Sequence, residues 1–185
     1  MYKALLIALA LCAQITYGAD WTPAFRYLEV GKGGDGGKAL YAIMGSVFKD
    51  GAGDEGHPQY KQILRQPLTN AAKTGKYSNV PAPYRHDMLP AKLSNQQDMH
   101  LHATIELKNA TLYGLPLQSV SYYYACSNCG NIGFYATFKP MTKQAYQKLV
   151  KNVKFRVDDE SCSDGAMAGF YGRPQEVILA LAIGC

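Results

Sequence analysis

Residues 98–140 read DMHLHATIELKNATLYGLPLQSVSYYYACSNCGNIGFYATFKP. From Met99 to Leu107 apolar and polar residues alternate strictly. Met99, Leu101, Ala103, Ile105 and Leu107 fall on one face, and His100, His102, Thr104 and Glu106 on the other. A period of two is what a strand with one buried and one wet face requires. Leu117 to Ala125 is rich in Val, Ser and Tyr. Ile132 to Phe138 alternates again, with Ile132, Phe134, Ala136 and Phe138 on one side and Gly133, Tyr135 and Thr137 on the other. These residues suit a pleated, half-buried surface, so the stretch predicts three successive strands. The last two form a hairpin with Cys126-Ser-Asn-Cys129 at its tip.

The register of that hairpin follows from its side chains. A two-residue turn at Ser127-Asn128 would set Tyr124 opposite Asn131 and Ser121 opposite Phe134. A loop of odd length instead pairs Tyr124 with Ile132, Tyr122 with Phe134 and Val120 with Ala136, which gathers the apolar groups on one face. The second register, with a loop of three or five residues, is the expected one. Asn128 or Gly130 supplies the left-handed residue such a loop needs.

Upstream, residues 1–19 (MYKALLIALALCAQITYGA) read as an export signal. Lys3 supplies the charge, Ala4 to Ala13 the apolar run, and Thr16-Tyr17-Gly18 or the following Ala19 the cleavage zone. The run is short for a bilayer span. Cys12 follows Leu11, where a lipid-attachment site wants a small residue, so cleavage without lipidation is favoured. Residues 20–185 then form one domain, in a periplasmic or secreted location. The formal charge of +5 falls by one when Lys3 leaves with the leader. A mild, dispersed basic balance of this kind is no signature of nucleic-acid binding.

Beyond the leader there are four cysteines, Cys126, Cys129, Cys162 and Cys185. An even count in an exported chain points to disulfides. The expected pairs are Cys126–Cys129, which is local, and Cys162–Cys185, which ties down the C-terminus. Closing the second loop stabilises by on the order of 3 kcal/mol in the chain-entropy picture. A redox role for Cys126-x-x-Cys129 would need a helix N-terminus, and a zinc knuckle would need a second such pair; the hairpin context supplies neither.

The rest of the chain reads in order. Trp21–Val30 suggests a first strand. Gly31-x-Gly33-x-x-Gly36 matches a dinucleotide fingerprint, but so dense a glycine run meets that pattern by chance, and a turn is favoured. An apolar run, Ala39–Phe48, follows. Asp50–Gly56 has the composition of a calcium loop without its alternating ligands or closing glutamate. Pro58–Gln66 predicts a short helix ended by Pro67, and 67–97 a long irregular segment. Thr142 caps a helix to about Asn152, with Ala145, Tyr146, Leu149 and Val153 inward and Lys143, Lys148 and Lys151 outward. Lys154–Val157, Ala166–Tyr171 and Val177–Ile183 read as strands, the last apolar on both faces and hence covered on both sides, with a helix as its alternative. No internal repeat stands out. The fold class is α+β: a single domain with a mostly antiparallel sheet of about five to seven strands and one or two helices.

No serine sits on a strand-to-helix elbow, and the carboxylates Asp158, Asp159 and Glu160 are consecutive and do not converge. The chain therefore reads as a non-enzyme without a cofactor. Tyr122, Tyr123, Tyr124 and Tyr135 flank the stapled loop, with Tyr113 and Tyr171 expected near it. Tyr122, Tyr124 and Tyr135, with Ser127 and Asn128 of the loop, are the candidate binding residues, because tyrosine gives large contact area with few rotatable bonds. The alternative is a metal site on His100 and His102, two apart on one strand face, with His57, His86, Asp98 or Glu106 completing it.

The layout of leader, compact α+β domain and paired cysteines is similar in kind to small envelope inhibitors and immunity proteins that block hydrolases. Lysozyme inhibitors of the vertebrate-lysozyme type likewise present a cysteine-bracketed loop, with wider spacing and a central histidine where this chain has Ser127-Asn128. The resemblance implies a protein partner, an envelope hydrolase or a toxin.

Overall fold

The computed structural model describes residues 18–32, 36–52, 56–97, 100–125, 132–155 and 166–183. Seven strands make one antiparallel sheet: β1 (Met88–Gln97), β2 (His100–Leu107), β3 (Thr111–Leu112), β4 (Leu115–Ala125), β5 (Ile132–Phe138), β6 (Ala166–Arg173) and β7 (Glu176–Ile183). Their order is β1-β2-β4-β5-β7-β6, with the short β3 paired to β4. Val120 pairs with Ala136, Tyr122 with Phe134 and Tyr124 with Ile132. This is the register that the apolar-face argument selects.

The helices are α1 (Thr22–Phe25), continued by a 3₁₀ turn at Arg26–Leu28, then α2 (Gly36–Val47), α3 (Tyr60–Arg65), α4 (Asn70–Thr74), α5 (Ala82–Arg85) and α6 (Lys143–Asn152). Leu40, Ile43 and Val47, three and four apart, form the buried stripe of α2. They meet Ile105, Val120, Tyr122 and Phe134 across a small apolar gap, so α2 lies on the face of the sheet that carries the alternating apolar residues. Trp21, fully buried, tilts against Tyr84 at 4.9 Å. Thr142 caps α6 by accepting from the Ala145 N–H at 3.2 Å, and Leu149 is the buried residue of that helix.

Several expectations are corrected. Trp21–Val30 is not a strand: Pro23 sits in the first turn of α1, and only Glu29 makes an isolated bridge, to Phe155. The glycine run consequently follows a helical turn, so the strand-loop-helix setting of a dinucleotide site is missing. Residues 67–97 are not irregular; they hold α4, α5 and the edge strand β1. There are more helices than one or two, although α1, α3, α4 and α5 each span six residues or fewer. Of Lys154–Val157, Phe155 makes its bridge to Glu29, and 156–157 lie outside the described residues. The leader up to Tyr17, Asp98, Cys126–Asn131, the carboxylates Asp158, Asp159 and Glu160, Cys162 and Cys185 also lie outside them.

Candidate functional site

The face of the sheet turned away from α2 is built in rows by the strand pairing. His102 pairs with Tyr123 and Tyr123 with Gly133; Thr104 pairs with Ser121, Ser121 with Tyr135 and Tyr135 with Ala180; Thr137 pairs with Ile178 and Ile178 with Tyr171. His102, Ser121, Tyr123, Tyr135, Thr137 and Ile178 wall a concavity of about 310 Å³, and all are strand residues. Tyr171, 51% exposed, stands on β6 in the Thr137–Ile178 row.

Glycine shapes this surface. A Cβ on Gly133 would lie 2.8 Å from the Tyr135 hydroxyl, and one on Gly169 would lie 3.5 Å from the Tyr171 ring. Each tyrosine thus leans along its own strand over the glycine two residues before it. Gly133-Phe134-Tyr135 on β5 and Gly169-Phe170-Tyr171 on β6 repeat the same device: glycine and tyrosine on the open face, phenylalanine in or against the core. The two copies flank β7.

The histidines are held by hydroxyls. Ser94 Oγ lies 2.7 Å from His102 Nδ1 and 3.0 Å from the His102 carbonyl oxygen. A serine has one proton, so if it donates to the carbonyl, Nδ1–H donates to Oγ, leaving Nε2 as an acceptor. Burial lowers the His102 pKa from its ordinary value, which favours the neutral ring this tautomer requires. His100 Nδ1 and the Tyr123 hydroxyl are joined at 2.6 Å, their rings stacked at 5.9 Å. His102 meets Tyr123 and Tyr135 edge-on, both at 6.4 Å. Burial, with Tyr123 and Tyr171 nearby, raises the Tyr135 pKa. The cluster is an aromatic surface with an imidazole nitrogen and phenol hydroxyls as its polar points.

The sequence-derived residues divide between two faces. Tyr122 is buried, 4% exposed, with its ring 5.5 Å from Phe48 and 5.2 Å from Phe134. It borders a hollow of about 640 Å³ on the α2 side, with Met44, Lys49, His57 and Leu101. Tyr135 belongs to the open face. The backbone of Tyr124 pairs with Leu101 and Ile132, in the register positions of the Tyr122 face; Ser127 and Asn128 lie outside the described residues. Ser121, which the sequence did not single out, and Tyr123, expected beside the loop but not among the binding residues, are the β4 residues that join Tyr135. The signal was available: in Tyr122-Tyr123-Tyr124 alternation must send the middle ring to the wet face.

His100 and His102 do share a face, with Tyr123 against both rings. Among the described residues no three of His, Cys, Asp and Glu gather as a metal set. His57 accepts the Gln59 N–H across the molecule, at the hollow, and Glu106 pairs with Lys92 at 2.6 Å. No helix among the described residues is long and apolar enough to cross a membrane. The fold and this surface define an α+β protein with an aromatic open sheet face. No family model, no curated protein and no solved structure matches the chain.

Proposed function

We propose that this is an exported, non-enzymatic binding module that docks a partner protein on the open face of its sheet and blocks it, as an inhibitor or immunity protein does for an envelope hydrolase or toxin. The carrying observation is the composition of that face: Tyr123, Tyr135, Tyr171 and Ile178, with Ala180 and Gly169 between them, on strands whose other face is already buried. A strand apolar on both sides, as β7 is, calls for cover on both. Tyrosines that lean on glycines are pre-ordered, so docking costs little rotamer entropy. The cysteine-bracketed tip lies at the end of the same β4–β5 hairpin, and in this reading Cys126–Cys129 and Cys162–Cys185 disulfides hold tip and C-terminus.

The test is inhibition of peptidoglycan hydrolysis by a vertebrate-type lysozyme, with the wild type and a Tyr123→Ala, Tyr135→Ala variant. The expected result is inhibition by the wild type, weakened about a hundredfold in the variant, as for two lost aromatic anchors of about 1–2 kcal/mol each. An equally potent, folded variant would remove this face from the binding site. A wild type without effect would remove this hydrolase class as the target.

A further inference from the structure

We infer that the leader is cut between Gly18 and Ala19, and that the new α-ammonium of Ala19 is an anchoring charge held by the Asp87 carboxylate. The inference rests on the export reading above and goes beyond it by naming the bond, one residue before the boundary after Ala19 expected from the sequence, and the receptor for the new terminus. The Ala19 nitrogen donates to Asp87 Oδ2 at 2.6 Å, closer than the usual amide-to-oxygen distance. Asp87 is 8% exposed, between α5 and β1. A carboxylate so far from water is costly unless an opposite charge meets it. A backbone amide brings only a dipole; a free terminus brings a full positive charge to the same place.

The fold takes hold of the chain at Ala19. The Ala19 carbonyl accepts from the Thr111 N–H at 2.9 Å, and the Trp21 N–H donates to the Thr111 carbonyl at 2.8 Å. Thr22 Oγ1 accepts from the Tyr113 N–H at 2.7 Å. One residue earlier the path is crowded: a Cβ on Gly18 would sit 1.7 Å from the Asn109 carbonyl oxygen. Glycine alone passes there, and cleavage removes it. The local sequence agrees. A cut after Gly18 places Thr16 and Gly18, both small, at the two positions a leader peptidase reads, whereas a cut after Ala19 puts Tyr17 at the outer one. In the step, water adds across the Gly18–Ala19 amide: the C–N bond breaks, Gly18 keeps a carboxylate, and the Ala19 amine takes up the proton.

The full chain is expressed in a bacterium with a periplasm, purified from that compartment and weighed intact. The expected chain begins at Ala19. A periplasmic chain beginning at Asp20 or elsewhere would overturn the assignment and leave export standing; an uncut chain retained in the cytoplasm would overturn both. The anchoring is read by acylating the α-amine near neutral pH. An ion pair that favours the ammonium by about one pKa unit slows the reaction about tenfold. Folded protein should therefore react about tenfold more slowly than the same protein in urea, and Asp87→Asn should abolish the difference. If that variant does not fold, the wild-type comparison decides: equal folded and unfolded rates would overturn the ion pair.

Discussion

Glycine at position 133 and tyrosine at position 113 are where single residues carry the most structural argument. A methyl group at Gly133 would enter the contact distance of the Tyr135 ring end, whereas at Gly169 it would meet Tyr171 at ordinary van der Waals range. Gly133→Ala should therefore lift Tyr135 out of its resting place and reshape the concavity, while Gly169→Ala should leave its face intact. Ring-proton NMR of the two variants checks this; matching spectra at Tyr135 and Tyr171 would contradict it. Tyr113 and Gly114 have φ values of 54° and 73° and form the two-residue turn between β3 and β4. That turn favours Asn-Gly, so tyrosine in its first place is held against a local preference of about 1 kcal/mol. Its compensation is tertiary: the ring meets Phe170 edge-on at 6.1 Å, and its N–H bonds Thr22. Tyr113→Gly relieves the backbone but forfeits aromatic burial of about 2–3 kcal/mol. A net loss of about 1–2 kcal/mol is expected in urea unfolding, and a variant more stable than wild type would show that the strain dominates.

At the scale of elements, what could be read from the sequence followed the strength of each local pattern. β2 and β5 alternate over seven residues or more, β4 carries Val120, Tyr122 and Tyr124 at every second place, and one face of each is core, so even the pairing of Tyr122 with Phe134 was legible. α6 was legible for the same reason, with Thr142 at its cap. β1 was not: it is an edge strand carrying Pro90, Lys92 and Ser94, with register shifts between Met88 and Ala91 and again between Leu93 and Asn95. Those features suit an edge, but they erase the period of two. α1, α4 and α5 offer four or five positions each, too few to show a helical period, and tertiary packing decides them. The caps differ in what they tie together. Thr69 Oγ1 accepts from the Ala72 N–H at 3.0 Å at the start of α4 and donates to the Ser46 carbonyl in α2. Thr142 Oγ1 serves its own exposed helix. Thr69→Ala should cost about 2 kcal/mol and Thr142→Ala about 1 kcal/mol. Equal losses in urea titrations would mean that the Thr69 link between α4 and α2 contributes nothing.

For the whole molecule, the open face was legible only in part. The polar alternation of β2 announced a wet side, but Gly133, Gly169, Ala180 and Tyr171 come together there only through long-range pairing of β5, β6 and β7. The same packing sets the chain's response to alkali. Burial pushes Tyr27 and Tyr77 up to about 12, and raises Tyr84, Tyr113 and Tyr135 above the ordinary value of 10.0. For Tyr113 the Glu29 carboxylate adds to burial. A phenol with a raised folded pKa still holds its proton when the unfolded chain has lost it. The unfolded state then binds fewer protons, so stability falls as pH rises. The stabilisation is complete below pH 10.0 and drains away as pH climbs through about 12, the folded value of Tyr27 and Tyr77. Tyr77 also donates to the Leu89 carbonyl at 3.1 Å, a bond its phenolate cannot make. The urea midpoint should hold through the neutral range and drop steeply above about pH 10. Tyr77→Phe should lose about 1 kcal/mol at neutral pH and then decline less steeply than wild type. Parallel declines for the two proteins would show that Tyr77 ionises without opposing the fold, and that the alkaline limit is set by the other buried phenols.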